Sequence, residues 1–306
     1  MSKSIWVLGE ALMDCVAQPD GSLLPFMGGS PFNLARAAAL RGAEVGYLNP
    51  LSTDRFGEQM REQLARDSVK PGLPNSRLPT SLAVVQVTHG QPSYGFYREG
   101  IADRDYTPDQ VLAALAGMAP GVLHTGSLLL VPPEHEKVIT ILKGARALGW
   151  TISVDINLRP KLAADLGQYV WAVKEVAALA DWLKASDEDL ETIGFTAPSR
   201  ATAPEIARSF SAQGASRIAL TFGGEGAWLQ VDGACAEQDV PTITVVDTVG
   251  AGDTFWGNCL GDWVLQPVGA AARVATTLQQ AMLAAAINCT RAGCQPPTFG
   301  EVQRAR

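Results

Sequence analysis

The sequence predicts an α/β fold, a mainly parallel sheet with helices covering both faces. Three observations carry that expectation. Short apolar and β-branched runs alternate with stretches of helical periodicity for most of the 306 residues, the pattern left by strand–helix–strand crossovers. Hydrophobic residues make up 47% of the chain and charged residues 18%, enough for a sizeable core and unlike a disordered chain. Two stretches, 14–27 and 82–99, carry strand-type sequence without a crossover helix of their own and so stand apart from the alternation.

Taken in order, Ile5-Trp6-Val7-Leu8 reads as the first strand, with no signal-peptide hydrophobic region before it. An alanine-rich helix over 31–41 is closed by Gly42, a C′ glycine. A strand at 45–49 and a helix at 56–67 follow. Leu82 to Thr88, the turn His89-Gly90-Gln91-Pro92, and Tyr94 to Tyr97 read as a hairpin, either a small separate sheet or an edge of the main one. The alternation then resumes with helices at 108–117, 134–148, 169–180 and 202–213 between strands at 121–125, 151–155, 182–185 and 217–222. Ala227–Val231 continues as a strand, and the β-branched run Thr242–Val246 reads as another. Two helices, 252–265 and 271–292, end the pattern, the second rich in Ala and Leu and suited to pack beside the first. No internal repeat, low-complexity tract or linker divides the chain, so residues 1–306 read as a single domain.

Charge and cysteine usage narrow the function classes. The net charge is −7, and no Lys/Arg cluster stands out, so nucleic acid is an unfavourable partner and any phosphate must be held by local geometry. Five cysteines (Cys15, Cys235, Cys259, Cys289, Cys294) are scattered without C-x-x-C spacing, which fits reduced thiols in the cytoplasm rather than a disulfide framework or zinc site. No uncharged apolar run reaches the roughly 18 residues of a membrane span. His89, His124 and His135 are isolated and make no metal set.

Chemistry concentrates at strand ends, where ligands bind in open parallel sheets. Asp247-Thr248-Val249-Gly250-Ala251-Gly252-Asp253 runs into a predicted helix. Its small residues free backbone N–H groups at a helix start, where the dipole also favours an anion. A carboxylate planted there reads as a general base beside a phosphoryl group; the plainer alternative is a capping aspartate. Gly28-Gly29-Ser30-Pro31-Phe32-Asn33 opens the alanine-rich helix. The paired glycines permit close backbone approach to a ligand, and Asn33 offers an acceptor and two donors to hydroxyls. A Rossmann reading of Gly223-Gly224-Glu225-Gly226 fails because a strand follows where the fingerprint needs a helix, and no G-x-x-x-x-G-K-[ST] occurs.

These two paired signatures resemble the ribokinase-like (PfkB) carbohydrate kinase family, with the closest likeness to its bacterial fructokinase branch. The resemblance runs from about Trp6 to about Thr298. It also rests on Gly9-Glu10-Ala11-Leu12-Met13-Asp14, Phe96-Tyr97-Arg98-Glu99 and Asp155-Ile156-Asn157-Leu158-Arg159-Pro160. It implies a three-layer α/β/α fold with a small β-lid contributed by 14–27 and 82–99, often used for dimerisation, hence a homodimer. It further implies an ATP-dependent sugar kinase in which Asp253 deprotonates a primary hydroxyl while Gly250, Ala251 and Gly252 cradle the developing charge.

By the same resemblance Asp14, Gly28, Gly29 and Asn33 bind sugar hydroxyls, and Arg98 and Arg159 contact substrate or γ-phosphate. Ser186, Thr221, Gly223, Gly226 and Gly252 contact ATP. Ser186 and Asp189 match the ends of an N-x-x-E element that organises waters around Mg²⁺, though acidic capping of the following helix accounts for them as well. Asp247 and the Val249 carbonyl match a K⁺ site, with helix capping by Asp247 as the plain alternative. Asn258 departs from the pattern, standing where the family has a small residue. Fructose is the expected sugar. A 2-keto-3-deoxygluconate kinase, another sugar or nucleoside kinase of the family, and a non-catalytic sugar sensor are the rival readings. Ribokinase itself is disfavoured, because Thr125-Gly126-Ser127 lacks the acid that ribokinases carry near that strand end.

Overall fold

A computed structural model describes residues 3–88 and 91–305; of the expected turn over His89–Pro92, His89 and Gly90 lie outside them, and Gln91 and Pro92 already belong to a strand, Gln91–Tyr97. The main sheet has the order β13 (Ala234–Gln238), β12 (Ala227–Val231), β11 (Arg217–Thr221), β10 (Trp182–Ser186), β9 (Thr151–Asp155), β8 (Val122–Gly126), β1 (Ile5–Val7), β4 (Val45–Tyr47) and β5 (Val69–Pro71). Pairings from β11 through β5 are parallel, and β12 and β13 add an antiparallel edge.

Side chains alternate across these strands and so build two cores. Trp6, Ile152, Val154, Leu183, Ala185 and Ile218 face one layer, made by α3 (Pro108–Ala116), α4 (His135–Ala147), α5 (Leu166–Ala177), α6 (Asp187–Thr192) and α7 (Ala203–Ala212). Ile5, Val7, Trp182 and Ala219 face the other, made by α1 (Ser30–Leu40), α2 (Arg55–Arg66), α8 (Ala251–Leu265) and α9 (Val274–Cys289). Burial of apolar side chains on both faces is what a parallel sheet requires. No helix among the described residues is long and apolar enough to cross a membrane.

The two stretches without crossover helices form a second sheet. Its order is β3 (Leu23–Gly28), β2 (Leu12–Ala17), β6 (Ser81–Thr88) and β7 (Gln91–Tyr97), so the expected lid strands form a small sheet of their own and not an edge hairpin of the main one.

One strand expectation is corrected. Thr242–Val246 belongs to neither sheet: β13 already occupies the edge, and Val245 and Val246 are 56% and 62% exposed. The segment is tied down where the Val246 and Asp247 N–H groups both donate to the Cys289 carbonyl. Its β-branched composition favours extended backbone, but a strand needs a partner. The predicted last helix begins as a 3₁₀ turn over Ala271–Arg273 and ends at Cys289. Sequence reading misses β5, β13 and the terminal α10 (Phe299–Arg304), all short.

Candidate active site

Two helix entrances meet at the carboxyl ends of the strands. Gly250 caps α8 with φ of 74°, a left-handed conformation that glycine adopts without penalty. A Cβ there would stand 2.2 Å from Cys294 Sγ, so the position is closed to side chains on both counts. Gly29 caps α1 with φ of 103°, and its Cβ would lie 2.4 Å from the Glu10 carbonyl oxygen. Close packing of α1 on α8 depends on Gly257, whose Cβ would fall 2.9 Å from the Leu34 carbonyl oxygen.

That packing brings Asp253, in the first turn of α8, against the first turn of α1. Ser30 Oγ donates to Asp253 Oδ1 at 2.7 Å, and Asn33 Nδ2 donates to Oδ2 at 3.0 Å. Asp253 is 8% exposed. Burial raises its carboxyl above the usual range, against the pull of the Ser30 and Asn33 hydrogen bonds and of the Lys184 and Arg159 charges. A more basic carboxylate is a better proton acceptor. Asn33 Oδ1 is buried without a protein partner, an acceptor open to a ligand hydroxyl.

Asp14 lies on β2 opposite Phe26 of β3. Burial pushes it up to about 6, with the Arg159 charge opposing and Asp247 and Asp253 adding to the rise. Gly28 makes room for it, since a Cβ there would sit 2.2 Å from Asp14 Oδ2. The next residues are held from behind by Glu10, whose Oε1 accepts from the Ser30 N–H at 3.2 Å and whose carboxyl burial pushes up to about 7.

The two arginines occupy different surroundings. Arg159 is half-buried after β9, its Nη1 donating to Asn157 Oδ1 at 2.6 Å and to the Leu158 carbonyl at 2.9 Å. Its charge bears on both Asp14 and Asp253. Arg98 lies just past the end of β7 and is buried in an ion pair with Asp103 at 3.1 Å, also donating to Ser81 Oγ at 3.1 Å. Its charge falls on Glu10 and Asp103, and its Nε and Nη2 have no protein partner.

Ser186 caps α6 and Asp189 completes a capping box. The Asp189 carboxylate accepts from the N–H groups of Ser186 at 2.8 Å, Leu158 at 2.7 Å and Asn157 at 3.2 Å. It therefore ties the loops after β9 and β10 together and keeps about one of its four acceptor positions for a water. Among the described residues no group of three or more His, Cys, Asp or Glu is placed to hold a metal ion.

Thr221 ends β11, and a 3₁₀ turn over Gly223–Glu225 follows with open space around Gly223 and Gly224. Gly226, at φ of 106°, packs where a Cβ would lie 2.1 Å from the Gln238 carbonyl oxygen. Asp247 accepts from the Val249 N–H at 3.0 Å and the Gly293 N–H at 2.8 Å, while the Val249 carbonyl accepts from Asn288 Nδ2 at 2.8 Å. Carboxylate and carbonyl oxygens thus line two adjoining loops. His124 is structural: its Nδ1 is 3.0 Å from Ser153 Oγ, and burial holds it neutral, down at about 3. His89 is outside the described residues.

Sequence reasoning passes over Lys184 and gives no role to Asp155, the first residue of a motif it does quote. Lys184 Nζ donates to both Asp155 carboxylate oxygens at 2.9 Å, and both side chains are buried. The available signal was a lysine inside Trp182-Leu183-Lys184-Ala185, an otherwise apolar parallel strand.

Comparison with known proteins bears on the family and the fold. The fructokinase of Rhizobium leguminosarum bv. trifolii is 31% identical over 284 residues, 90% of this chain and 84% of that one. The fructokinase of Klebsiella pneumoniae is 30% identical over 264 residues, 85% of this chain and 84% of that one. A crystal structure of fructokinase with bound ATP from Xylella fastidiosa superposes with a TM-score of 0.85 at 27% identity, covering 99% of this chain and 98% of that one. The family described as pfkB family carbohydrate kinase matches residues 2–299. With two helix entrances converging on Asp253 and a separate lid sheet beside them, the chain belongs to the pfkB family of carbohydrate kinases.

Proposed function

We propose that this kinase is a fructokinase, moving the γ-phosphoryl group of ATP to a primary hydroxyl of fructose. The observation that carries the reading is the double engagement of Asp253. One carboxylate stands in the first turn of α8, where N–H groups favour an anion, and is held by Ser30 and Asn33 of the α1 entrance. The fructokinase names of relatives at 30–31% identity support the choice of sugar.

In this reading Asp14, Asn33 and the Gly28-Gly29 backbone bind sugar hydroxyls. Asp253 takes the hydroxyl proton as the new O–P bond forms and the bond from the γ-phosphorus to the ADP oxygen breaks. Gly250 and Gly252 present their N–H groups to the transferring group, which needs positioning and charge stabilisation more than covalent help; Ala251 keeps the cradle small, its own N–H donating to the Thr248 carbonyl at 3.2 Å. Thr221, Gly223, Gly226 and Ser186 border the ATP site. Arg159 serves phosphate and sugar, and Arg98 holds the lid base through Asp103, with the three N–H groups of Nε and Nη2 left for substrate.

A divalent cation, Mg²⁺ by preference, would neutralise phosphate charge when bound with ATP. Asp189 fits it through a single water, because three backbone N–H groups already occupy most of its acceptor capacity. The Asp247 carboxylate and Val249 carbonyl fit K⁺, a hard cation that takes oxygen ligands. Exposed Leu23, Leu24 and Tyr97 on the outer strands of the lid fit a lid-paired homodimer. The whole chain works as one unit in the cytoplasm, consistent with five free cysteines.

The test is ATP-dependent phosphorylation measured across fructose, 2-keto-3-deoxygluconate, ribose and nucleosides. Preferred turnover of fructose is expected. Turnover confined to the acidic sugar, with fructose inert, overturns the fructose assignment.

A further inference from the structure

Lys184 is buried beside the start of α8, and nothing in the function above uses it. It projects from β10 on the same face as Trp182, whose ring meets Trp263 of α8 at 5.2 Å. That face directs its ammonium toward the start of α8. Nζ lies 3.3 Å from where a Cβ on Gly252 would stand. Two of its three N–H groups go to Asp155. Its charge also acts on Asp253.

We propose that Lys184 is a catalytic residue of this kinase, its ammonium touching the transferred phosphoryl group at the entrance of α8 and carrying part of its negative charge. The inference rests on the reading of Gly250, Ala251 and Gly252 as the phosphoryl cradle.

Three physical points support it. First, the first-turn N–H groups of a helix lack intrahelical partners and make its N-terminus positive. A buried ammonium beside that positive end is repelled by it, and an anion placed between the two removes the conflict. Second, Lys184 keeps its proton. Burial disfavours the charge, yet the carboxylates of Asp155, Asp189 and Asp253 hold its pKa above the usual lysine value. Third, a buried ion pair is a weak source of net stability compared with apolar packing of similar volume. Trp182, on the same face of the strand, is buried in the core there, so this face accepts an apolar side chain. Gly252 fits the same picture, because its missing side chain leaves the space between Nζ and the helix start clear. Asp155 then holds the lysine in line, leaving one N–H for the phosphoryl oxygen.

The rival explanation is that Lys184 only neutralises Asp155. The experiment compares K184M with K184M/D155N, in which both buried charges are gone, and with K184R. Two quantities are read on full-length protein shown to be folded by circular dichroism: kcat with fructose, and the ratio of ATP to ADP affinity by calorimetry with Mg²⁺. Removal of one transition-state donor costs about 10²–10³-fold in kcat. A loss of about that size is expected in both K184M and the double variant, with the ATP preference over ADP falling about tenfold or more and fructose affinity little changed. K184R should recover part of both.

Recovery of parental kcat and of the ATP preference in K184M/D155N overturns the proposal, since charge balance alone would then suffice. If K184M does not fold, the double variant carries the comparison, as it leaves no charge unpaired within the pair. The affinity ratio needs no sugar. A parent that ignores fructose would therefore remove the fructose assignment while leaving the Lys184 comparison readable.

Discussion

Ser30 and Asp253, 223 residues apart in sequence, meet through a 2.7 Å hydrogen bond in which the serine hydroxyl donates to the carboxylate. The contact joins the sugar-side helix entrance to the phosphate-side one. It also links them to the chain start, because the Ser30 N–H is itself held by Glu10. Base, sugar wall and anion cradle are thereby built as one unit.

Replacing Asp253 by Asn should abolish turnover and leave sugar binding nearly intact. The shape is kept and the base removed, a loss of about 10²–10⁴-fold in kcat. Steady-state kinetics with calorimetry of fructose binding checks this. A loss smaller than ~10² would reject the assignment.

Glu10 predicts a pH dependence of stability. Its folded pKa is raised from 4.5 to about 7 by burial, so the folded state binds the proton more tightly than the unfolded state. The contribution is complete below the unfolded value and is lost as pH rises through about 7. At roughly 1.4 kcal/mol per pKa unit it is on the order of 3 kcal/mol. E10Q cannot ionise. The parent should therefore lose several degrees of Tm relative to E10Q between pH 5 and pH 8, read by calorimetry. Parallel Tm curves for the two proteins would refute the prediction.

Arg98 and Arg159 should separate in mutagenesis. R98A strands the buried Asp103 carboxylate, and breaking a buried pair costs about 3–5 kcal/mol, so a fall in Tm is expected. R159A removes the charge that bears on Asp14 and Asp253 and should lower kcat with little change in Tm. Measuring KM for fructose and for 2-keto-3-deoxygluconate in both variants also tests the sugar. A rise confined to the acidic substrate would assign the altered guanidinium to its carboxylate.

Gly250 should tolerate no side chain. G250A combines a left-handed φ with a Cβ 2.2 Å from Cys294 Sγ, and should lower both Tm and kcat. Adding C294A removes the Sγ contact but keeps the residue-294 Cβ at 2.7 Å, and should recover part of the Tm. The remainder is that second contact together with backbone strain of roughly 1–2 kcal/mol. Equal Tm values for G250A and the double variant would show that the thiol does not confine this turn.

Potassium should raise activity over choline buffer. The Asp247 and Val249 oxygens lie in the loop that leads directly into the anion cradle, and a cation there would stiffen the backbone holding the phosphate. Assay of thoroughly desalted enzyme across a K⁺ titration checks it. A flat profile would count against the site.

The β/α alternation was legible because period-2 and period-3.6 patterns are local and each strand buries both faces. The two stretches 14–27 and 82–99 were legible as strands apart from that alternation, because they have strand composition but no crossover helix; that they pair with each other and not with the main sheet was decided by the strand order. Thr242–Val246 misled because β propensity reports only that a segment suits a pleated surface, whereas strand formation needs a free sheet edge, and β13 had taken it. β5, β13 and α10 were too short for periodicity to register.

The sequence by itself determined the fold class, the strand character of the two stretches without crossover helices and the two glycine-led helix entrances, since each is written in neighbouring residues. Only the tertiary structure decided what those entrances share. Packing of α1 on α8 puts Ser30 and Asn33 on Asp253. Strand order puts Lys184 beside Asp155, and Arg98 is paired with Asp103 while Arg159 bears on the acids of the site. Charge, burial and hydrogen bonding act through distance in space, and 223 residues of chain between Ser30 and Asp253 carry no local trace of it.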